Sequence, residues 1–281
     1  MSALNVKSID LNSENASKNF VQSLKNTGFA ILNNHPINID LIDKVYLEWS
    51  DFFNSPRKND YLFHPIKQDG YFPFKSENAK GIYQKDLKEF FHIYPWGRCP
   101  KGYENFTREL YDDLVDLASK LLFWIEKEIP EKISSKFSIP LVEMIDKSPQ
   151  NLMRIINYPP INDSENSGSV RAAAHEDINL ITVLCAGTQS GLQAQDVEGN
   201  WHDIKCDPGS IAVNTGDMLQ MCSGSYFPST THRVINPEGS NKNVSRMSIP
   251  LFLHPNDNVI LSDSYTAKSY LLERLQEIGL K

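Results

Sequence analysis

Apolar residues recur along this chain with two different periods, and the change from one to the other falls at about Leu152. Before it, three- and four-residue steps dominate, the spacing of one helix face. Phe20, Val21 and Leu24 follow that spacing, and Gly28 supplies a stop signal. The run Phe29-Ala30-Ile31-Leu32, ended by Asn33, Asn34, His35 and Pro36, predicts a short buried strand. Asn38 then suits an N-cap, since its side chain can accept from an unpaired N–H of the next helix. That helix should reach Phe53, with Ile39, Leu41, Ile42, Val45, Phe52 and Phe53 on its pattern and Pro56 just beyond. A second strand is expected at Phe90–Tyr94 within an aromatic, turn-rich stretch. The strongest helix runs from Phe106 to Ile129, where Leu110, Leu114, Leu117, Leu121, Leu122 and Ile125 form one stripe closed by Pro130. A core-facing helix accounts for that stripe.

Beyond Leu152 the apolar runs shorten, each bounded by Gly, Pro, Asn or Asp: Leu180–Leu184, Leu192–Gln195, Ile211–Val213 and Ser245–Leu253. Such spacing is that of an antiparallel sandwich or barrel. The stretch from Asn162 to Ser169 reads as a polar surface loop. A final helix is expected over Tyr265–Leu280, with Leu271, Leu272, Leu275 and Ile278 on its buried side. The pattern as a whole predicts a mainly β protein with flanking helices packed on a barrel.

Composition narrows the function classes. The 281 residues carry 28 Lys+Arg against 35 Asp+Glu, a net charge of −7, and the pI is near 5.5. An acidic chain argues against nucleic acid or anionic membrane as the main partner. No stretch approaches the roughly 20 apolar residues that span a bilayer. The first residues lead into polar sequence with no apolar leader segment. The cysteines Cys99, Cys185, Cys206 and Cys222 lie far apart without a CxxC pair, as buried thiols of a reducing compartment do. A cytoplasmic location is therefore expected. Nothing in the sequence sets an oligomeric state.

The candidate chemistry sits in the β half. In Ala174-His175-Glu176-Asp177, a strand would turn His175 and Asp177 to one face and Glu176 to the other. His232 follows 55 residues after Asp177. Two imidazoles and one carboxylate make the facial set that suits non-haem Fe(II) and leaves positions open. Taken alone, His-x-Asp is weak, and an exposed turn explains it as well. A second feature is Arg246-Met247-Ser248, whose Arg and Ser share a strand face. An inward arginine is costly unless a carboxylate pairs with its planar fork. That partner is either the protein's own Asp or Glu, or a dicarboxylate bound at its far end.

These blocks resemble a known family. The run His175–Leu184, then Gly191-Leu192-Gln193-Ala194, Pro208-Gly209, Val213–Asp217, Thr231–Val234 and Arg246–Ser248 looks like the isopenicillin N synthase-like group of 2-oxoglutarate- and Fe(II)-dependent oxygenases. Gly28-Phe29, Asn34-His35-Pro36, Phe52-Phe53 and Gly70-Tyr71 are similar to that group's N-terminal region, in the same order. The resemblance implies a double-stranded β-helix (jelly-roll) core. It divides the chain into an N-terminal oxygenase region (1–100), a helical connection (101–150), the core (151–262) and a C-terminal helix (263–281). It assigns His175, Asp177 and His232 as iron ligands and Arg246 and Ser248 to the distal carboxylate of 2-oxoglutarate. Tyr158, before Pro159-Pro160, matches a tyrosine close to the co-substrate, whereas Ile156 stands where members often carry Asn.

The activity implied is oxidation of an unactivated C–H bond of a small molecule by O2, with succinate and CO2 as co-products. Hydroxylation, desaturation and cyclisation all fit, and the retained Asp177 argues against halogenation. Two alternatives are a 2-oxoglutarate-independent Fe(II) oxidase or cyclase of the same fold, and a non-catalytic jelly-roll binder. Of the other histidines, His35, His64, His202 and His254 suit structural or surface roles. His92, with Tyr83, Lys85 and Arg154, forms a group of substrate-contact candidates.

Overall fold

The computed structural model describes residues 4–77, 84–161 and 169–277. Twelve strands are found among them: β1 (Ser8–Asp10), β2 (Phe29–Asn33), β3 (Gly70–Phe72), β4 (Glu89–Ile93), β5 (Leu152–Tyr158), β6 (Ala172–His175), β7 (Ile181–Cys185), β8 (Leu192–Gln195), β9 (Trp201–Asp203), β10 (Ile211–Thr215), β11 (His232–Val234) and β12 (Arg246–Leu253). The α-helices are α1 (Ala16–Thr27), α2 (Ile39–Asn54), α3 (Glu104–Glu128), the short α4 (Glu131–Ser134), α5 (Leu141–Ile145) and α6 (Asp217–Cys222), and α7 (Ala267–Glu277).

Two sheets result. The larger runs β1-β2-β10-β7-β12-β5-β4-β3 and the smaller β6-β11-β8-β9. Apart from the parallel β1–β2 pair, the pairings are antiparallel. Strands from the first hundred residues thus extend the large sheet at both edges, β2 beside β10 and β4 beside β5. This is the jelly-roll with flanking helices that the sequence leads one to expect.

Period-two alternation sorts each central strand between two cores. Met153 and Ile155 of β5, and Met247, Ile249, Leu251 and Leu253 of β12, join a cluster shared with α1, α2 and α3 through Phe20, Leu24, Val45, Trp49, Leu114 and Leu121. Ile156 and Tyr158 of β5 turn the other way and meet Phe29, Phe72 and Phe90 and, from the small sheet, Ala172, Leu192, Ala194 and Val234. Arg246 and Ser248 alternate with the helix-facing residues of β12, so they too face the space between the sheets. That register places charge inside the barrel.

The helix ends follow the expected signals. Asn38 accepts from the backbone N–H of Asp40, and Gly28 closes α1 at φ 70°. A side chain at Gly28 would also run into Thr230 and the Pro228 carbonyl oxygen, so both conformation and space require glycine. One expectation changes: α7 packs through Ala267 and Tyr270, while Leu271, Leu272 and Leu275 are only half-buried. Ile278 and most of the expected polar loop lie outside the described residues. The strands β1, β3 and β9, of three residues each, are too short for periodicity to reveal.

Candidate active site

His175 ends β6 and His232 begins β11, and the two are register partners across that antiparallel pair. Between this pair and the next, Val234 with Ala172, the register shifts. Such a bulge re-aims side chains. Here it allows Ala172 to join the inner cluster while the imidazole of His175 comes to lie 4.4 Å, centroid to centroid, from that of His232. Asp177 lies past the end of β6, so its approach is not the two-residue strand rule expected from sequence but a turn. Its carbonyl accepts from the Asp217 N–H at 2.8 Å. A Cβ at Gly216 would collide with the backbone of Asn179 and Asp177, so glycine lets that turn close.

The three candidate ligand atoms converge. Oδ1 of Asp177 lies 3.9 Å from Nε2 of His175 and 3.7 Å from Nε2 of His232. One donor atom from each of the three residues falls within 4.8 Å of the others. Nδ1 of His175 is 2.7 Å from the Ala173 carbonyl oxygen, and Nδ1 of His232 is 3.1 Å from that of Thr230. Only a protonated Nδ1 can donate to a carbonyl, so both Nε2 lone pairs stay free toward Asp177. On the carboxylate, Oδ2 accepts from Thr182 Oγ1 at 2.5 Å and Asn214 Nδ2 at 2.7 Å, leaving Oδ1 to the imidazoles.

Electrostatics favour the ligating protonation states. Burial opposes ionisation of Asp177, but His232, His175 and the bonds from Thr182 and Asn214 outweigh it and hold the carboxyl below its ordinary value. Desolvation, then the neighbouring His232 imidazole, pushes His175 down to about 4. His175 keeps 37% of its side chain accessible, against 10% for His232 and 6% for Asp177, so the open side of the trio borders His175.

Arg246 and Ser248 occupy the inner face of β12, 2% and 3% exposed, opposite Tyr158 and Ile156 of β5. Nε of Arg246 donates to the Gln189 carbonyl at 3.0 Å, whereas Nη1 is buried without a partner. Its guanidinium carbon stands 5.1 Å from the Tyr158 ring centroid. No Asp or Glu forms an ion pair with it among the described residues. The internal salt bridge, one of the two sequence alternatives, is therefore absent there.

The substrate-contact candidates divide. Tyr83 lies outside the described residues, and Lys85 is exposed. Arg154 and His92 lie together on the inner face, with Arg154 Nε donating to His92 Nε2 at 2.9 Å. Glu77 pairs with Arg154 at 3.1 Å and with Lys88 at 2.8 Å, and Lys88 also holds Asp86 at 2.8 Å. The Arg154 guanidinium lies over Phe90 and Phe252. Sequence reading missed Glu77, Asp86 and Lys88, as well as Thr182 and Asn214. The signal for the last two was a polar residue at an inward position of an otherwise apolar strand. His35, His64 and His202 are tied to Gly209, to Ile66 and Lys67, and to Asp196.

Comparison with known proteins settles the family. The 2OG-Fe(II) oxygenase superfamily matches residues 149–255, and the N-terminal region described as non-haem dioxygenase in morphine synthesis matches residues 3–115. A crystal structure from Shewanella oneidensis, described as an oxygenase, is 49% identical over 99% of this chain and 100% of its own, with a TM-score of 0.90. The chain belongs to the 2OG-Fe(II) oxygenase superfamily. This oxygenase is also 28% identical, over 84% of its length, to 2-oxoglutarate-dependent dioxygenase 11 of Oryza sativa, of which the match spans 65%. A full-length Neurospora crassa protein, solved in complex with alpha-KG and thymine, shares the fold at a TM-score of 0.79 and 23% identity, covering 96% of each chain.

As a member, the oxygenase uses Fe(II), 2-oxoglutarate and O2. The two free Nε2 atoms, the free carboxylate oxygen and the unpaired buried Arg246 Nη1 fit those groups. Among the described residues no helix is long and apolar enough to cross a membrane.

Proposed function

We propose that His175, Asp177 and His232 hold the Fe(II), and that Arg246, Ser248 and Tyr158 seat the distal carboxylate of 2-oxoglutarate. The reading rests above all on the pre-set tautomers: both imidazoles are committed at Nδ1, and both Nε2 atoms face one carboxylate oxygen. When bound, the metal and keto acid together supply the oxidising power that breaks a substrate C–H bond.

The chain's own residues do the positioning. Thr182 and Asn214 fix the carboxylate rotamer of Asp177, which cancels half the metal's charge without filling its coordination shell. Arg246 and the Ser248 hydroxyl offer donors to a carboxylate inside the barrel, where a guanidinium fork outweighs a single donor. Tyr158 walls that pocket beside the guanidinium. The core region (151–262) carries all six residues, and the first hundred residues contribute β4 and the loop bearing Glu77.

The substrate is a small polar molecule admitted beside His175. Lys88 is near enough to lower the proton affinity of His175. Asp86 accepts from the Ala173 N–H at 3.0 Å, two residues before His175, so the network of Asp86, Lys88, Glu77 and Arg154, with neutral His92, backs the same strand and favours hydrogen-bonding groups over bare hydrocarbon. Incubation with a metabolite extract, Fe(II) and 2-oxoglutarate tests this. One succinate should form per substrate consumed, with a product heavier by about 16 or lighter by about 2 daltons. Turnover without succinate would replace this reading by the co-substrate-independent oxidase.

A further inference from the structure

A second arginine lies next to the pocket assigned to 2-oxoglutarate. Arg171 precedes β6 by one residue and His175 by four. It is 1% exposed, and its guanidinium carbon stands 5.9 Å from the Tyr158 ring centroid, the same ring that Arg246 faces. One of its nitrogens, Nη2, donates to the Val244 carbonyl at 3.0 Å, while Nε is buried without a partner. Arg246 shows the same pattern, one bond to a carbonyl and one orphaned buried nitrogen.

Two guanidinium groups therefore stand against one tyrosine ring, neither paired to a carboxylate among the described residues. A single buried cation without an anion is costly, and a second beside it adds repulsion. Desolvation, then the neighbouring Arg246, lowers the proton affinity of Arg171, to a pKa of about 10. Contact with the Tyr158 face offsets a small part of this and does nothing for the orphaned nitrogens. A carboxylate that reaches both guanidinium groups would give each the anion it lacks.

We propose that Arg171 is a second anchor, with Arg246, for the distal carboxylate of the co-substrate, and that the pair selects dianionic over monoanionic keto acids. This rests on the placement of 2-oxoglutarate given above. The segment that ends in the ligand His175 would then also carry a cation for the opposite end of the same molecule.

Binding of 2-oxoglutarate and of monoanionic 2-oxobutyrate to the Mn(II)-loaded protein, measured by calorimetry, tests the proposal on Arg171→Met and Arg246→Met. Arg171→Met should weaken 2-oxoglutarate at least fivefold, narrow its advantage over 2-oxobutyrate, and leave Mn(II) affinity unchanged. Its melting temperature without keto acid should not fall, since an uncompensated charge has gone. A change below fivefold in 2-oxoglutarate affinity overturns the proposal. If Arg246→Met also binds normally, the pocket assignment itself fails; if only Arg246→Met weakens, Arg171 alone is excluded. Should Arg171→Met not fold, Arg171→Lys keeps the charge without the fork, and the same fivefold threshold decides.

Discussion

His175 and His232 face each other as register partners on adjacent antiparallel strands, each with Nδ1 on a carbonyl two residues earlier in its own chain segment. The same local geometry repeated on two strands aims both Nε2 atoms at Asp177, before any metal arrives. Little reorganisation is then needed on binding, which is what a site on rigid elements provides. Asp177, on a turn, depends instead on its hydrogen-bond partners.

Thr182→Val should therefore cost metal affinity although Thr182 is no ligand. Removing a partner of a ligating group typically weakens binding about 10- to 100-fold. Equilibrium dialysis with Fe(II) under anaerobic conditions measures it. Glu176→Gln is the control: its side chain accepts from Thr231 rather than facing the trio, and metal content should stay near wild type. Equal losses in the two variants would show that the turn, not the hydrogen bond, sets the affinity.

Arg246→Ala should raise the apparent constant for 2-oxoglutarate far more than it lowers turnover at saturation. Truncating one partner of a buried charge pair costs about 2–5 kcal/mol, or roughly one and a half to three and a half orders of magnitude in affinity. Steady-state kinetics over a range of 2-oxoglutarate concentrations checks this. An unchanged constant would remove Arg246 from the co-substrate pocket.

The Glu77 cluster makes acid sensitivity predictable. Burial opposes its ionisation, yet Arg154 and Lys88 reverse that and hold its carboxyl far below the ordinary 4.5. A depressed carboxylate stabilises the fold above its unfolded value and loses that contribution as pH falls toward its folded one. The stability gap between wild type and Glu77→Gln should thus be constant above about pH 5 and shrink below it. Breaking a buried pair suggests a gap of about 3 kcal/mol at neutral pH. Urea unfolding of both proteins from neutral pH down to about pH 3 gives the curve, and a gap that widens on acidification would reverse the assignment.

Trp49→Ala probes the joint between helices and large sheet. Trp49 is fully buried against Phe52, Phe53 and Phe91, and its Nε1 donates to Thr107 Oγ1 at 2.9 Å. Loss of the ring should destabilise by about 3–5 kcal/mol, read from the denaturation midpoint at unchanged slope. A cost under about 1 kcal/mol would mean the cavity collapses freely.

The sequence alone determined the long elements and the residue types of the candidate site. The leucine stripe of α3 and the Asn38 cap of α2 depend on neighbours within a few positions, so local spacing reveals them. Alternation along β12 was enough to put Arg246 and Ser248 on one face. What spacing could not decide was everything set by partners far along the chain. The β6–β11 register shift arises from pairing across more than fifty residues, and the turn that brings Asp177 under two imidazoles closes on Asp217, forty residues further along. The same holds for Thr182 and Asn214, which meet on one carboxylate oxygen from separate strands, and for Arg171 beside the Tyr158 ring. A side chain's direction is local information, but the group it meets is fixed only when distant strands dock and water is excluded between them.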